Sequence, residues 1–251
     1  MRKQMALVLA LAITESAAVA GANKGVLADA DAAWKYRDDT AALKVSVKAL
    51  EKTAEAAPSG FESAWRLARA YGWLAEQVDD TSKKEALGRA GVTWGEKAQA
   101  REPDRIEGHF YVAIALGMYS EAIGATRALR EGLKGRFDDA LDKALAMNRD
   151  FDHGGPLRMK GRSYFLLPGF VGGSNRRAIE WLEASLKTDP SSLRTKYYLA
   201  VVYEDNGGAD RRLALKLVDE IVTADPKLGD FSDNLAAQRW ARALKARLGE
   251  E

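Results

Sequence analysis

The second half of the chain repeats itself. Gly172-Gly173-Ser174-Asn175-Arg176-Arg177 corresponds to Gly207-Gly208-Ala209-Asp210-Arg211-Arg212 at an offset of 35. Ala178, Asp189-Pro190 and Leu199-Ala200 correspond to Ala214, Asp225-Pro226 and Leu235-Ala236 at 36, a one-residue slip after the turn. Each copy reads as a helix, a glycine-rich turn and a second helix. A period in the mid-thirties with two helices per unit marks a helical solenoid. One such unit cannot bury its own apolar face, so neighbours must stack. The small residues Ala178 and Ala214 suit that requirement, because facing helices must come close.

The rest of the chain extends the pattern. No sustained period-two alternation appears, so an all-α fold is expected. A helix is expected over Val26–Tyr36 and another over Thr40–Ala57, where Leu43, Val47, Leu50 and Ala54 fall three or four apart. Pro58 and Gly60 stop the second one. Ser59-x-x-Glu62 and Ser82-x-x-Glu85 read as capping boxes for two further helices. In the later of these, Ala86, Ala90, Trp94 and Ala98 form the expected inner face. Gly88, Gly91 and Gly95 cost about 1 kcal/mol each relative to alanine there, so their use is close helix approach. Asp104–Glu131 is expected as one long helix, apolar around much of its surface, either deeply buried or lining an apolar groove. Another helix is expected to open at Phe137 and run to about Arg149. A last helix, Phe231–Leu248, carries Leu235, Trp240, Leu244 and Leu248 with charges opposite, as a capping helix should. The expected architecture is about five helix pairs plus this C-terminal cap.

The amino terminus reads as an address. Arg2 and Lys3 precede the apolar run Met5–Ile13, and Ala18-Val19-Ala20 offers a small-x-small cleavage site before Gly21. That is the layout of a secretory signal peptide over residues 1–20, leaving 21–251 as a single solenoid domain. The expected location is periplasmic or secreted, soluble after cleavage, with no membrane span in the mature chain. Cysteine is absent, so no disulfide, catalytic thiol or lipid anchor site exists in this sequence. Removing Arg2, Lys3 and Glu15 leaves a net charge of +1, which gives no footprint for nucleic acid.

Leu199, Ala200, Tyr203 and Gly207, the pairs Ala178 with Pro190 and Ala214 with Pro226, and Leu157, Gly161 and Tyr164 together resemble the tetratricopeptide repeat (TPR). The resemblance covers most of the chain after residue 20. It implies a right-handed helical-hairpin solenoid whose first helices face a concave surface. Two stretches carry a narrower likeness: Pro103-Asp-Arg-Ile-Glu-Gly-His109-Phe-Tyr111, and the run from Gly154 to Ser174. They are similar to the T-component family of tripartite ATP-independent periplasmic (TRAP) transporters. That likeness implies an exported, non-catalytic accessory of solute transport. It further implies a periplasmic solute-binding protein as partner, a small apolar or anionic ligand, and homo-oligomers. The alternative is a generic periplasmic protein-interaction scaffold for envelope complex assembly.

Few residues suggest chemistry. There is no phosphate loop, dinucleotide fingerprint or nucleophile elbow, so no enzyme and no cofactor is expected. His109 and His153 are the only histidines and make no metal set. Arg158 and Arg162, four apart on a first helix, read either as a carboxylate clamp or as an internally paired face. Gly172, Gly173, Ser174 and Asn175, with Gly207, Gly208 and Asp210, read as repeat-turn caps; the alternative is an anion cradle of backbone N–H groups. Tyr164, His109, Tyr111 and Phe170 complete the candidate ligand- or partner-binding set. His109 beside Phe110 and Tyr111 also reads as packing. Phe170 either projects from a contact loop or fills the seam between repeats. Trp65, Trp73, Trp94, Trp181 and Trp240 are expected in the core, because no basic stripe accompanies them.

Overall fold

The structure, a computed structural model, describes residues 23–56 and 60–249. The expected signal peptide, Pro58 and Ser59 lie outside those residues. Helix α1 spans 23–35. It is followed by α2 (Thr40–Ala56), α3 (Phe61–Glu76), α4 (Thr81–Arg101), α5 (Ile106–Ile123), α6 (Ala125–Arg130), α7 (Leu133–Met147), α8 (Phe151–Leu166), α9 (Asn175–Thr188), α10 (Leu193–Asn206), α11 (Asp210–Thr223) and α12 (Phe231–Gly249). A single 3₁₀ turn covers Gly169–Val171. Among the described residues there is no strand. The helices pair as α1/α2, α3/α4, α5/α7, α8/α9 and α10/α11, and α12 packs over α10 and α11. This is the helical-hairpin solenoid the repeat predicts.

The two copies fold alike. Helices α9 and α11 are each 14 residues long. Each buries one stripe: Ala178, Leu182 and Ser185 in α9, and Ala214, Val218 and Ile221 in α11, at an offset of 36. All six side chains are sealed from solvent. Each apolar cluster draws side chains from more than one helix pair or from a pair and the capping helix, so each hairpin shields its neighbour's flank.

Glycine sets the spacing of α4 and α5. A Cβ built at Gly88, Gly91 or Gly95 would lie 2.9 Å from the Tyr119 backbone, 2.9 Å from Ala115 Cβ and 2.7 Å from Val112 Cβ. Their expected role in close approach is thus met. The inner face of α4 is nevertheless rotated from the expected one. The glycines, Val92 and Ala98 are buried, whereas Ala86 is exposed and Ala90 and Trp94 are half-buried. Backbone-to-backbone contact requires the glycines themselves to face α5.

Several expected boundaries shift. The long helix of Asp104–Glu131 is two helices, because Gly124 at φ +79° and ψ 156° breaks it. Gly132 at φ +68° then ends α6, and α7 begins four residues before Phe137. Asp80, not Ser82, caps α4, its carboxylate accepting from Lys83 N at 2.8 Å. Gly60 precedes α3 with no side-chain cap. The cap of α9 is Ser174, which accepts from Arg177 N at 3.3 Å; Asn175 is the first helical residue and donates to Asp205 and Asn206. Likewise Asp210 is the first residue of α11 and accepts from Asn206 at 2.8 Å. In α8, Asp152, His153 and Gly154 all have positive φ, so the chain swerves before Pro156 starts the straight part of the helix.

The array curls until its ends meet. The Arg37 guanidinium after α1 donates to Asp230 at 2.8 Å and Asp233 at 2.5 Å, at the start of α12. Arg194 of α10 donates to Glu76 of α3 at 2.6 Å, and Tyr198 donates to the same carboxylate at 2.9 Å. Ala236 and Trp240 of α12 join the apolar cluster of α1, α2 and α3. The capping helix therefore shields the beginning of the array as well as its end.

Candidate functional site

The curling encloses a crevice on the inner face of the first helices. A cavity of about 80 Å³ there is lined by Trp34, Arg37, Arg69, Trp73, Glu76 and Tyr111, continuing across Asp152, Arg158, Arg162, Arg194, Tyr198 and Asp233. These side chains come from α3, α5, α8, α10 and α12 and from the segment around the end of α1. Each first helix presents its concave face here, so one repeat after another contributes.

Arginine and tryptophan alternate across this region. Arg66 lies 4.2 Å from the Trp65 ring centre, Arg69 lies 4.7 Å from Trp65 and 4.2 Å from Trp34, and Arg37 lies 4.2 Å from Trp34 and 4.6 Å from Trp73. Arg194 then lies 5.1 Å from both Trp73 and Trp240. These guanidiniums and indoles form one ladder from α3 through α1 to α10 and α12. Each step contributes on the order of 0.5–2 kcal/mol when desolvated. Of the five tryptophans expected in the core, Trp65 and Trp73 are buried and Trp94, Trp181 and Trp240 are half-buried, and the basic stripe that the sequence does not display is assembled around them from separate helices.

The cations divide into two groups by counter-charge. Arg37 and Arg194 are compensated by Asp230, Asp233 and Glu76. Burial alone would lower the Arg37 pKa, yet Asp233 and Asp230 raise it above its ordinary value. Asp233 and Glu76 likewise raise that of Arg194 against its burial. Burial would push the Asp233 carboxyl up, but Arg194 and Arg37 hold it well below the usual carboxylate range. Arg69 differs. Burial outweighs Tyr111 and Asp31 and pulls its guanidinium below its ordinary value. Asp31, at 3.2 Å, sits on the outer side, shared with Arg66. The Nε–H groups of Arg69, Arg37 and Arg162 are shut off from solvent and have no acceptor. Arg158 is 6% exposed, donates to the His153 carbonyl at 3.3 Å and lies 3.6 Å from Asp152. Asp152 and His153 hold their left-handed backbone at this rim, a conformation that costs non-glycine residues energy. His153 Nδ1 lies 3.1 Å from Asp189.

Of the candidate residues, Arg158, Arg162 and Tyr111 come together in the crevice. Tyr111 stacks on Trp65 with ring centres 5.7 Å apart. His109 does not join them: it is buried, its Nε2–H donating to the Pro103 carbonyl at 2.7 Å while Nδ1 accepts from Gln99 at 2.8 Å. It holds the turn before α5. Tyr164 lies under Arg177 at 5.3 Å, packed toward α9 and α10. Phe170 is 85% exposed on the 3₁₀ turn. The turns at Gly172–Asn175 and Gly207–Asp210 lie outside the crevice lining. Among the described residues no cluster of three His, Cys, Asp or Glu could hold a metal.

Arg194 was legible: Leu157-Arg158-x-Lys160 recurs as Leu193-Arg194-x-Lys196 at the repeat offset of 36. Arg37, Arg69 and Trp34 carry no such signal. They precede the clear repeats and reach the site only through the curl.

Stacked helical hairpins with a closed concave face define this chain as a helical-repeat protein of the TPR type. A thermophilic TPR protein of Thermus thermophilus has the same fold, with a TM-score of 0.64 at 18% identity over 88% of this chain and 98% of that one. The chain belongs to the family of regulators of microtubule dynamics proteins 1-3, whose family model matches residues 26–153. Relatives include regulator of microtubule dynamics protein 2 of Bos taurus, 37% identical over 34% of this chain and 20% of that protein. Regulator of microtubule dynamics protein 3 of Bos taurus is 31% identical over 33% of this chain and 17% of that protein. The match spans about a fifth of those relatives' length.

This membership corrects the narrower reading of the sequence. The stretches from Pro103 and from Gly154 do not mark a transporter T-component, because residues 26–153 match a different family. The role as an accessory of periplasmic solute transport falls with it, as does the envelope-assembly alternative. The periplasmic address falls too, since the family's named relatives come from cattle, whose cells have no periplasm. Those two stretches are instead local answers to packing: Gly108 and Gly155 sit against Gln99 backbone and the Phe110 ring, where any Cβ would collide. No described helix is long and apolar enough to cross a membrane.

Proposed function

We propose that this chain is a non-catalytic interaction module that binds microtubules, with an acidic segment of the lattice entering the arginine-lined crevice. The observation that carries this reading is Arg69: a cation lining the crevice among Trp34, Trp65 and Tyr111, short of counter-charge, with a buried Nε–H that has no partner. A guanidinium stays protonated at neutral pH, so the cheapest remedy is an anion from outside. The cavity has about half the volume that accommodates a benzene ring, which suits one carboxylate group rather than a nucleotide. Arg158, weakly engaged by Asp152, stands ready as the second donor. The described helices, tied end to end, act as one unit in this reading. The names of the relatives supply the partner, and the charge pattern supplies the chemistry.

Co-sedimentation of the full chain with stabilised microtubules tests it. Binding should weaken with rising salt and be displaced by poly-glutamate. Arg69→Met and Arg158→Met should each lower affinity about tenfold or more, a loss of roughly 1.5–3 kcal/mol for a charge-assisted hydrogen bond, with the melting temperature followed to confirm folding. No binding at low salt, or binding untouched by both substitutions, would overturn it.

A further inference from the structure

A second cavity, of about 290 Å³, lies between α5, α6, α7 and α8 and is closed by the segment from Leu167 to Val171. Its walls are Met118, Ala128, Phe137, Met159, Leu167 and Val171, almost entirely apolar. Three features argue for a small-molecule occupant. Its volume is about twice that of a cavity that takes one benzene ring, which corresponds to roughly a dozen carbon atoms. Its mouth is marked by Leu129 and Leu166, both large apolar side chains left exposed. One wall is the six-residue α6, flanked at each end by a glycine with positive φ, Gly124 and Gly132.

The polar groups at the rim define the ligand's chemistry. Arg162 is matched by Glu121 at 3.0 Å, Glu121 by Lys84 at 2.8 Å, and Lys134 by Asp138 at 2.5 Å. Burial would raise the Glu121 carboxyl, but Arg162 and Lys84 hold it below its ordinary value, so it is an anion at neutral pH. A second carboxylate beside it would be repelled. The donor without an acceptor is Arg162 Nε–H, which is shut off from solvent, so a ligand's acceptor meets it when the Arg162 side chain turns toward the cavity. We infer that this cavity binds a neutral aliphatic molecule of roughly ten to twelve carbons carrying one hydrogen-bond acceptor, such as a ketone, ester or long-chain alcohol, with the acceptor turned toward Arg162.

The cavity adjoins the crevice proposed for microtubules and shares Met118, Met159 and Arg162 with its lining, whereas Ala128 belongs to this cavity alone, so the Ala128→Leu arm tells its occupancy from that of the crevice. The purified full chain, labelled with ¹³C at methionine methyls, is titrated with 2-decanone and, in parallel, with decanoate. 2-Decanone should produce saturable shifts at Met118 and Met159 and none at Met147, which lies outside the cavity. It should bind at least tenfold tighter than decanoate. Ala128→Leu, which fills the cavity without adding a polar group, should weaken 2-decanone at least tenfold. Arg162→Lys, which keeps the charge opposite Glu121 and removes the Nε donor, should weaken it several-fold. Absence of saturable shifts, equal or tighter binding of decanoate, or full affinity in Ala128→Leu would overturn the inference; full affinity in Arg162→Lys would overturn the assignment of the acceptor.

Discussion

Asp233 shows how one side chain can tie distant parts of a fold together. It accepts from Arg37, which lies 196 positions earlier in the chain, at 2.5 Å, and from Arg194 at 3.0 Å. Because the folded carboxyl titrates below its unfolded value of about 3.9, its stabilisation is complete at neutral pH. It is lost as pH falls below that unfolded value toward the folded one. Asp233→Asn should therefore cost about 3 kcal/mol at pH 7, the scale of breaking a buried charge pair. That deficit should shrink between about pH 4 and pH 2. Thermal melts of both proteins across that range check it; a difference that stays constant with pH would refute the linkage. Tyr111 lies at the same scale. Burial pushes its phenol up, so it is neutral at neutral pH.

At the scale of elements, the α4/α5 contact depends on three glycines that cost helix stability and return it as proximity. Gly95→Val should destabilise the protein by about 2–3 kcal/mol, the usual cost of overpacking, because its Cβ meets Val112 at 2.7 Å. Gly135→Ala, with nothing within 4 Å of the added methyl, should be neutral or stabilising by up to about 1 kcal/mol. Denaturant titrations of the pair would show opposite signs; a gain in both would mean that propensity and not proximity governs these positions. The sequence made the glycines' purpose legible, since nothing else justifies three of them on one helix. It hid the break at Gly124, because an isolated glycine inside a helical pattern is often tolerated, as Gly117 is in α5. The φ of +79° there follows from where α6 must lie against α7.

For the whole molecule, closure changes how the solenoid should unfold. An open array is stabilised by nearest neighbours alone and frays from either end. Here Arg37, Glu76, Arg194 and Asp233 join first repeats to last. Arg37→Met should speed hydrogen exchange in both 23–56 and 231–249, although the substitution lies in only one of them. Exchange that rises only near residue 37 would show that the termini are energetically independent.

Periodicity alone determined the all-helical class, the pairing of α8 to α11 and their buried stripes, because apolar spacing within a segment decides which of its faces must be hidden. Even Arg194 was implied by Arg158 through the repeat offset. The crevice is another matter. Arg37, Arg69 and Trp34 are surface-like residues by local pattern, and they become a site only because the array bends far enough for α12 to meet α1. That bend is the sum of small rotations between successive hairpins, each set by the packing of side chains from different repeats. No segment of the sequence contains it, and only the assembled structure decides it.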